Sequence, residues 1–483
     1  MNLNDILKGI DFKGNVDPNQ EVNGVRYDSR KVKKGVCFVA LEGQKYDGHN
    51  YISDVIEKGA SAIIINNSSS RGISESNINM VRVSNTRKAL SKISANFFGH
   101  PSRDMKVVGV TGTNGKTTVS QITKSILEEL NQACGVVGTL GFSYDEEYLS
   151  TGFTTPESAD LQSILKSFSD AHISTAVLEV SSHSLVQHRV NDIDFDVSIF
   201  TNLTQDHLDY HVDMESYFRA KEKLFLDLNR GISIINIDDL YGMRIFNSLS
   251  KNKISYGFNP DADISILKKR AAFNRTSFSI SLFGDSFDLE TNLIGDFNLL
   301  NIASSIGCLI SLGYQSNDVI EKINKIDFNV PGRMELVYSG LNRSIYVDYA
   351  HTPDAYKNIF TSIKAINPNW KLISVFGCGG EKDKDKRSKM TEIAISFCDY
   401  VIITSDNPRN ENLDNIINDM VKGIKSNAYN VVRNRFEAIK EGINRLSDKS
   451  ILLVLGKGID NYEIIGKEKI PFSDIETIKK YIK

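Results

Sequence analysis

Short apolar runs alternate with segments of helical periodicity along most of this chain. Residues 106–110 form an apolar run that predicts a strand, and the apolar positions after it recur at helical spacing: Val119, Ile122, Ile126, Leu127 and Leu130. The alternation continues to about residue 330, with strands predicted at 133–139, 175–180 and 197–200 and a helix at 159–168. This order predicts an α/β region built on a doubly wound, mainly parallel sheet.

A further α/β region is predicted on each side of this sheet. Before it, the pattern predicts apolar patches at 22–27 and 35–41, a helix near 51–58, a strand at 60–65 and a polar loop at 66–79. After the turn at 331–333, strands are predicted at 344–348, 371–376, 400–404 and 451–455. We therefore expect three domains: a small N-terminal α/β domain (1–103), a central domain (104–331) and a C-terminal Rossmann-like domain (332–483).

The turn after the first central strand is rich in glycine and reads Gly-Val-Thr-Gly-Thr-Asn-Gly-Lys-Thr-Thr at 109–118. A strand, such a turn and a helix present backbone N–H groups and a helix N-terminus to phosphate. Lys116 would supply charge for the outer phosphates, and Thr117 a hydroxyl for Mg²⁺. The strict Walker spacing has glycine where Val110 stands, so the match is to a tighter variant. A structural glycine turn is the alternative, but Gly-Lys-Thr in this context favours a nucleoside triphosphate and a central P-loop domain.

Composition narrows the class of protein. The 483 residues are 41% hydrophobic and 24% charged, with a formal net charge of −3, which is typical of a globular protein without general affinity for nucleic acid or acidic membranes. The N-terminus has no signal-peptide core, and no apolar run reaches membrane-spanning length. The five cysteines are far apart, which favours buried free thiols in a reducing cytoplasm over a metal or disulfide site.

Polar residues follow several predicted strands. Glu179 ends the 175–180 strand, and a carboxylate there faces the ligand crevice of a parallel sheet, where it can hold Mg²⁺. The segment 201–211 after the next strand is rich in His and Asp, which favours a functional site over a solvated loop. The mixed-charge run at 382–387 predicts an ordinary solvated helix start.

Five motifs resemble those of the Mur ligases, in order along nearly the whole chain. They are Thr-Gly-Thr-Asn-Gly-Lys-Thr-Thr at 111–118, Glu-Val-Ser-Ser-His-Ser-Leu-Val-Gln-His-Arg at 179–189, His-Leu-Asp-Tyr-His at 207–211, Pro-Gly-Arg-Met-Glu at 331–335 and Asp-Tyr-Ala-His-Thr-Pro at 348–353. The chain looks most like members that add a third, diamino acid residue to UDP-N-acetylmuramoyl-L-alanyl-D-glutamate. The resemblance implies a monomeric cytoplasmic ligase of peptidoglycan synthesis that uses ATP and Mg²⁺.

The resemblance also implies residue roles, domain by domain. For the nucleotide-sugar end of the substrate it implies Tyr27, Ser29, Gln44, Lys45 and Tyr46. For the muramoyl-dipeptide arm it implies Thr154, Thr155, Ser181, Gln187 and Arg189. Phe153 stands where the family has an asparagine that contacts this arm. For ATP it implies Gly112, Thr113, Asn114, Gly115, Lys116, Thr117, Thr118, Asn298, Asn301, Arg333 and Asp348.

The family chemistry gives the metal site its implied members. Lys221, which follows His-Leu-Asp-Tyr-His and precedes Leu-Phe, matches a family lysine that reacts with CO₂ to give a carbamate. This change converts a cation into an anion that can ligate a second Mg²⁺ near His207. The implied metal ligands are Thr117, Glu179, His207 and Lys221, and Lys116 joins the last three as the catalytic set.

The identity of the added amino acid depends on Asp406-Asn407-Pro408-Arg409. In the family this motif accompanies meso-diaminopimelate, whose second carboxylate a guanidinium can grip with two hydrogen bonds. Lys382 and Asp460, the latter after Gly456, stand where such a pocket usually has arginine and glutamate. The second candidate substrate is therefore meso-lanthionine, a close analogue of meso-diaminopimelate.

Three other functions are compatible with the phosphate loop alone. An L-lysine-adding muramyl ligase would lack Arg409, and a folylpolyglutamate synthetase would differ in its acceptor. A GTPase-like switch protein is the non-enzyme alternative, but it needs no third domain, and its base-reading Asn-Lys-x-Asp motif is absent from the sequence.

Overall fold

The structure is a computed structural model that describes residues 1–43, 46–68, 78–144, 148–271, 275–340 and 342–482. Its first elements are helix α1 (Leu3–Ile6), strands β1 (Gly24–Arg26) and β2 (Val36–Val39), helix α2 (Ile52–Glu57), strands β3 (Ala62–Asn66) and β4 (Asn79–Val83), and helix α3 (Thr86–Phe98). Strands β1 to β4 pair in parallel in sequence order. Alternate strand residues pack on opposite faces, Cys37 and Ile64 on one and Phe38 and Ile63 on the other.

The helix and first three strands of this region follow the sequence prediction, but two elements do not. Asn66 ends β3 and Asn79 begins β4, so the predicted loop at 66–79 includes one strand residue at each end, and its middle, 69–77, lies outside the described residues. Helix α3 was not predicted, although its ends carry standard signals. The Asn85 side chain accepts hydrogen bonds from the first turn, and Gly99 ends the helix at φ +76°.

The central part of the chain continues the alternation of strands and helices. It contains β5 (Lys106–Thr111), α4 (Lys116–Glu129), β6 (Cys134–Gly138), β7 (Gly141–Ser143), α5 (Ser158–Asp170), β8 (Thr175–Glu179), α6 (Ser182–Val186), β9 (Phe195–Phe200), α7 (Leu208–His211), α8 (Met214–Lys223), β10 (Asn229–Asn236), α9 (Leu240–Ser248), β11 (Lys253–Gly257), β12 (Ile264–Ala271), β13 (Thr276–Leu282), β14 (Asp285–Thr291), α10 (Asp296–Ser311) and α11 (Ser316–Ile323). A π-helical segment, Leu224–Leu228, follows α8.

The last part is a second α/β set. It contains β15 (Glu335–Gly340), β16 (Arg343–Asp348), α12 (Pro353–Ile366), β17 (Lys371–Phe376), α13 (Lys386–Phe397), β18 (Tyr400–Ile403), α14 (Leu413–Val421), β19 (Tyr429–Val431), α15 (Arg435–Asn444), β20 (Ser450–Leu455), β21 (Tyr462–Ile465), β22 (Glu468–Pro471) and α16 (Asp474–Tyr481).

The chain forms two compact units. The first unit consists of Met1–Thr111, Asn131–Ile199 and Ala220–Ser233, and the second of Gly112–Leu130, Phe200–Arg219 and Ile234–Lys483. In the first unit β9, β5, β8, β6 and β7 lie side by side in that order; β5 and β6 both pair in parallel with β8, and β7 pairs antiparallel with β6. The carboxyl ends of β5 and β8 therefore lie at the same edge.

In the second unit, strands β12 to β14 form an antiparallel meander that the prediction of a mainly parallel sheet did not include. Along β13 buried and half-buried residues alternate, as expected for a strand with one face on the core. The six-stranded sheet of this unit has the order β15-β16-β20-β17-β18-β19 and is parallel apart from β15. The predicted α/β class with parallel-rich sheets is confirmed.

Burial corrects one charge assignment and supports another prediction. Lys386 and Arg387, at the start of α13, are buried, so the expectation of a solvated helix start is wrong for both. All five cysteines are buried free thiols, as predicted. None of the helices in the described residues is both long and apolar enough to cross a membrane.

Candidate functional site

The loop between β5 and α4 has a shape that requires glycine. Gly112 and Gly115 have φ angles of +151° and +89°. A Cβ on Gly112 would lie 1.9 Å from Thr201 Oγ1, closer than any side chain could approach. Gly115 is the N-cap of α4, which begins at Lys116. The predicted sequence of strand, glycine turn and helix is therefore present.

Neighbouring groups fix the loop and its lysine. Asn202 accepts the N–H of Thr113 on its backbone oxygen and the N–H of Asn114 on Oδ1, both at 2.9 Å. Lys116 turns back over the loop, and its Nζ donates to the backbone oxygens of Gly112 and Thr113 at 2.9 and 3.0 Å. The ammonium is thereby held against the loop that is predicted to bind phosphate.

Several predicted ATP residues lie together in the second unit. Thr117 is buried, as is Thr118, and Thr117 Oγ1 accepts a hydrogen bond from Arg333 Nη2 at 3.1 Å. A Cβ on Gly115 would lie 2.7 Å from Asn301 Oδ1. The Nδ2 of Asn301 donates to Asn298 Oδ1 at 3.1 Å. A small group of buried polar side chains thus surrounds the start of α4.

Asp348 and Arg333 belong to the same region. Asp348, at the end of β16, accepts the N–H groups of Met334 and Ala350, each at 2.6 Å. Burial raises the pKa of Asp348. The Arg333 guanidinium lies 4.5 Å from the centre of the Tyr349 ring. These contacts hold the turn at 331–335 beside β16.

Glu179 is a buried, oriented carboxylate at the end of β8 in the first unit. Thr139 donates its N–H to Oε1 and its hydroxyl to Oε2, both at 3.0 Å. A Cβ on Gly138 would lie 2.1 Å from Oε1, so a larger residue there would displace the carboxylate. Thr154 Oγ1 lies 3.2 Å from Thr139 Oγ1. A carboxylate held in this way is the oxygen ligand that Mg²⁺ prefers.

The residues predicted for the dipeptide arm are also grouped in the first unit. Ser181 donates its N–H to Thr155 Oγ1 at 3.0 Å, and Thr155 Oγ1 donates to the backbone oxygen of Glu179 at 2.7 Å. Arg189 donates from Nη1 to the Thr155 backbone oxygen and from Nη2 to Gln187 Oε1, both at 2.6 Å. A backbone carbonyl and an amide oxygen thus fix the Arg189 guanidinium, a group that pairs well with carboxylates.

Two members of this group were missed in the sequence. Arg87 Nη1 donates to Glu157 Oε1 at 3.2 Å and to Gln187 Oε1 at 3.4 Å, while Arg189 Nε lies 3.1 Å from the same Glu157 oxygen. Phe153, in place of the family's asparagine, has its exposed ring 5.1 Å from the Arg189 guanidinium carbon. Charged residues in separate elements leave no local signal, so periodicity could not have found Arg87 or Glu157.

The residues predicted for the nucleotide-sugar end are only partly described. Tyr27 donates its hydroxyl to Asp160, and burial raises the pKa of Tyr27 above its ordinary value. Ser29 begins a short 3₁₀ turn, and Tyr46 is exposed. The structure brings Tyr27 onto α5 but does not place Tyr46 with it. Two further predicted residues lie outside the described residues: Gln44 and Lys45.

Asp206 is a buried carboxylate surrounded by basic side chains of the second unit. Its oxygens lie 3.4 Å from His207 Nε2, 3.6 Å from His351 Nε2 and 3.6 Å from Lys386 Nζ. Burial alone would raise its pKa, but the hydrogen bond from His351 and the neighbouring positive charges hold the pKa of Asp206 well below its usual range. The segment predicted as functional from its His and Asp content is therefore a structured ionic cluster.

Lys221 occupies a position unlike that of a surface lysine. It is 1% exposed, and its Nζ lies 3.5 Å from Thr111 Oγ1 at the end of β5. Lys223, two residues later, is only partly buried. The ordinary surface reading therefore applies to Lys223 and not to Lys221.

The metal assignment stays a prediction. Across the described ranges, no three His, Cys, Asp or Glu side chains are grouped so that they could hold a metal ion. The predicted ligands Thr117, Glu179, His207 and Lys221 include a hydroxyl and a lysine that would first be modified. The Thr117 hydroxyl and the Glu179 carboxylate are oxygen donors that suit Mg²⁺, and the fixed orientation of Glu179 is the observation in favour.

Two loops that follow neighbouring parallel strands hold the predicted diamino acid residues. We call residues 377–382, after β17, and 406–411, after β18, the paired loops. Arg409 Nη1 donates to the Gly380 backbone oxygen at 2.7 Å. A Cβ on Gly379 would lie 3.0 Å from Arg409 Nη1 and 3.8 Å from Lys382 Cγ. The side chains of Arg409 and Lys382 therefore both pass close to Gly379.

The loop after β20 contacts the second paired loop, residues 406–411. Lys457 is fully buried, and its Nζ donates to Asn407 Oδ1 at 3.0 Å and to the Tyr462 backbone oxygen at 2.8 Å. Gly456 before it has a φ of +114°. Burial lowers the pKa of Lys457 and raises the pKa of Asp460 to about 6. This loop brings a carboxylate and a cation to the same end of the sheet.

Three family models match the chain. Residues 21–98 match the "Mur ligase family, catalytic domain", residues 110–309 the "Mur ligase middle domain" and residues 332–458 the "Mur ligase, glutamate ligase domain".

Relatives and solved structures agree with these matches. A Clostridium perfringens protein named UDP-N-acetylmuramoyl-L-alanyl-D-glutamate--2,6-diaminopimelate ligase is 40% identical over 99% of both chains. A solved structure with the same name is 29% identical, covers 100% of this chain and 98% of its own, and has a TM-score of 0.70. The ADP complex of the MurF ligase from Thermotoga maritima shares the fold at a TM-score of 0.64 and 19% identity, over 95% of this chain and 96% of its own. This chain belongs to the Mur ligase family.

Proposed function

We propose that this protein is an ATP-dependent ligase that adds a meso-diamino dicarboxylic acid, diaminopimelate first, to UDP-N-acetylmuramoyl-L-alanyl-D-glutamate in peptidoglycan synthesis. The observation that carries the proposal is the placement of Lys382 and Arg409 in the paired loops, both near Gly379, in a chain of this family. Two relatives that are 40% and 39% identical to this chain are named UDP-N-acetylmuramoyl-L-alanyl-D-glutamate--2,6-diaminopimelate ligase.

The reaction proceeds in two steps that together form one amide. The D-glutamyl carboxylate attacks the γ-phosphorus of ATP, which gives an acyl phosphate and ADP. The acceptor amine then attacks the acyl carbon, and a tetrahedral intermediate collapses with loss of inorganic phosphate and a proton. Activation is needed because a carboxylate is a poor acyl donor, and phosphoryl transfer to an anion requires its charges to be balanced.

Charged residues of the chain supply that balance. Lys116 and the backbone of the phosphate loop hold the phosphates, while Asn301 and Arg333 face the nucleotide. Arg189, fixed by Gln187 and the Thr155 backbone, holds the dipeptide carboxylate. Mg²⁺, when bound by the predicted ligands, neutralises charge on the transferred phosphate.

The second carboxylate of the acceptor decides specificity in this proposal. Arg409 uses one nitrogen, Nη1, for Gly380, and a guanidinium has further N–H donors in a planar fork for a carboxylate. L-Lysine would leave that guanidinium without an anionic partner, a loss of about 2–5 kcal/mol. meso-Lanthionine, with a thioether in place of one methylene, is the second candidate because Lys382 and Asp460 alter the reach of the pocket.

A competition experiment tests the substrate. We expect meso-diaminopimelate, offered together with meso-lanthionine, L-lysine and L-ornithine, to give the dominant product by mass and the highest kcat/KM. A preference for L-lysine would refute the role of Arg409, and a preference for lanthionine would assign the change to Lys382 and Asp460. Lys116→Ala should abolish ligation while circular dichroism stays unchanged; activity within about tenfold of wild type, only ~1.4 kcal/mol, would refute the phosphate-loop assignment.

The carbamate on Lys221 is a separate part of the proposal. Its burial beside Thr111 supports it, because a buried amine is shielded from the water around a surface lysine. With ¹³C-labelled bicarbonate, the wild type should show a carbamate carbonyl signal by NMR that Lys221→Ala lacks and Lys223→Ala retains. Short carboxylates should partly restore the activity of Lys221→Ala. A bare amine in the liganded enzyme would contradict the modification. We also propose a monomer acting in the cytoplasm, where ATP and UDP-linked precursors are found.

A further inference from the structure

The start of α13 carries a buried arginine that the ligation chemistry does not use. Arg387 is 0% exposed, at a position where the charge pattern predicted a solvated helix. A buried cation is costly unless its charge and its hydrogen bonds are matched. The groups that contact Arg387 therefore indicate its role in the protein.

Most of those partners belong to the paired loops. Arg387 forms a two-pronged ion pair with Glu411, Nη1 to Oε1 at 2.8 Å and Nη2 to Oε2 at 2.7 Å. Nη2 also donates to the Gly379 backbone oxygen at 3.2 Å. The remaining partner, Asp419 on α14, accepts from Nη1 at 2.8 Å. One guanidinium thus contacts the loop after β17 and the loop after β18.

Glu411 extends the same connection. Its Oε2 accepts the N–H of Glu381 at 3.0 Å, and its Oε1 lies 3.5 Å from Lys384 Nζ. Asn410, beside it, donates from Nδ2 to Glu381 Oε1 at 3.2 Å. Glu381 directly precedes Lys382, and Glu411 lies two residues after Arg409. Lys382 therefore directly follows a residue whose N–H is bound by Glu411, and Arg409 lies two residues before Glu411 itself.

We propose that Arg387 and Glu411 are positioning residues for the acceptor amino acid: their ion pair fixes the separation of the loops that carry Lys382 and Arg409. The inference rests on the proposed function. A ligand with two charged ends needs its binding groups at one fixed distance, and binding sites lose affinity steeply when such groups move by about 1 Å. Glu411 does not contact the substrate itself; it acts through the two cations.

The alternative is that the pair only stabilises the C-terminal part of the chain. Asp419 separates the two roles, because it binds the same guanidinium at the same 2.8 Å distance. It lies on α14 rather than in a paired loop, and its side chain is 41% exposed. Asp419→Asn is therefore the matched control for Glu411→Gln.

The test compares these two variants with the wild type. We expect Glu411→Gln to raise the KM for meso-diaminopimelate by about tenfold or more, with the KM for ATP and for the UDP-linked dipeptide within about twofold. Asp419→Asn should change the diaminopimelate KM by less than about threefold. Arg387→Lys should resemble Glu411→Gln, because an ammonium cannot form the two-pronged pair. Equal effects of Glu411→Gln and Asp419→Asn, or an equal rise in all three KM values, would overturn the inference.

Hydrogen exchange on the free protein provides a readout that needs no substrate. Glu411→Gln should speed amide exchange in peptides that cover residues 377–384 and 406–411, and Asp419→Asn should leave them unchanged. Unchanged exchange in Glu411→Gln would also overturn the inference. If the wild type ligates no diamino acid, the proposed function fails, whereas an active wild type with an unaffected Glu411→Gln contradicts only the positioning role.

Discussion

The phosphate loop and the paired loops are held in shape by different parts of the chain. In the phosphate loop the backbone sets the shape: Gly112 and Gly115 have positive φ angles, and Lys116 bonds to the loop's own carbonyl groups. In the paired loops an ion pair adds to the backbone contacts: the Gly380 N–H donates to the Asn407 backbone oxygen at 2.9 Å, and Arg387 and Glu411 join the same two loops through their side chains.

This difference teaches which changes each region can tolerate. A backbone-determined loop has no conservative substitution at its glycines, so it can bind one kind of group only. A loop aligned by an ion pair can shift when the pair is altered, while the fold around it stays. We therefore expect the phosphate loop to tolerate fewer substitutions than the paired loops.

The largest effect should come from Gly115→Ala. The added methyl group would lie 2.7 Å from Asn301 Oδ1 at a φ of +89°, so the loop must move. We expect kcat/KM for ATP to fall at least about hundredfold, or ~2.7 kcal/mol. Gly313→Ala is the control, since its φ is +101° but no described atom lies within 4 Å of the new Cβ. It should lower thermal stability without loss of activity; near-normal ATP use by Gly115→Ala would contradict a backbone-determined loop.

Asp206→Asn tests how much an ion pair outside the paired loops, Asp206 with Lys386, contributes to the stability of the protein. Without the carboxylate, buried Lys386 loses its counter-charge, and we expect a loss of about 3 kcal/mol in the free energy of unfolding. Lys386→Met in the same background should recover much of that loss. Denaturant unfolding of the two single variants and the double variant measures the coupling. Additive effects would show that Asp206 and Lys386 act independently.

Asp460→Asn tests the electrostatics of the acceptor region through pH. The pKa of this carboxyl is about 6 in the folded protein, raised by burial. If it binds the acceptor's ammonium group as a carboxylate, the KM for the acceptor should fall several-fold as pH rises through 6. Asp460→Asn should remove that dependence.

The same group makes a stability prediction of opposite sign. Its unfolded pKa is near 4, so the unfolded chain loses this proton first, and its contribution to stability should fall as pH rises from about 4 to 6. Thermal unfolding of the wild type at pH 5 and 7.5 should show this fall, and Asp460→Asn should lack it. A KM profile identical in both proteins would remove Asp460 from the binding site.

Val212→Gly should have the smallest effect and the opposite direction. Val212 is exposed and β-branched, with a φ of +63° and a ψ of −53°. Such backbone strain costs about 1–3 kcal/mol, and glycine would remove it. Glycine also loses more conformational freedom on folding, which offsets roughly 0.5–1 kcal/mol of this gain in stability. We expect a gain of about 1 kcal/mol in thermal or denaturant unfolding. Leu240→Gly, at an equally exposed helical position, should give no gain, and a loss of stability in Val212→Gly would show that this backbone is not strained.

Features formed within one short segment could be predicted from the sequence, whereas contacts between distant segments could not. The phosphate loop and its strand and helix lie within 106–129, so composition and periodicity were sufficient. The pairing of Asp206 with Lys386, or of Arg87 with Glu157, joins distant segments, and a charge run gives the same pattern whether it is solvated or buried. The strands β12 to β14 were not predicted, and their antiparallel direction could not have been, because strand patterns do not state the direction of the neighbour.

The start of α13 also has a consequence for evolution. Lys386 contacts Asp206 and the next residue, Arg387, contacts Glu411, so two different segments are bound by adjacent side chains. Adjacent residues in an α-helix are about 100° apart around the axis. An insertion between them would rotate one anchor away from its partner. Among homologous genes, the spacing of this Lys-Arg pair should therefore stay fixed.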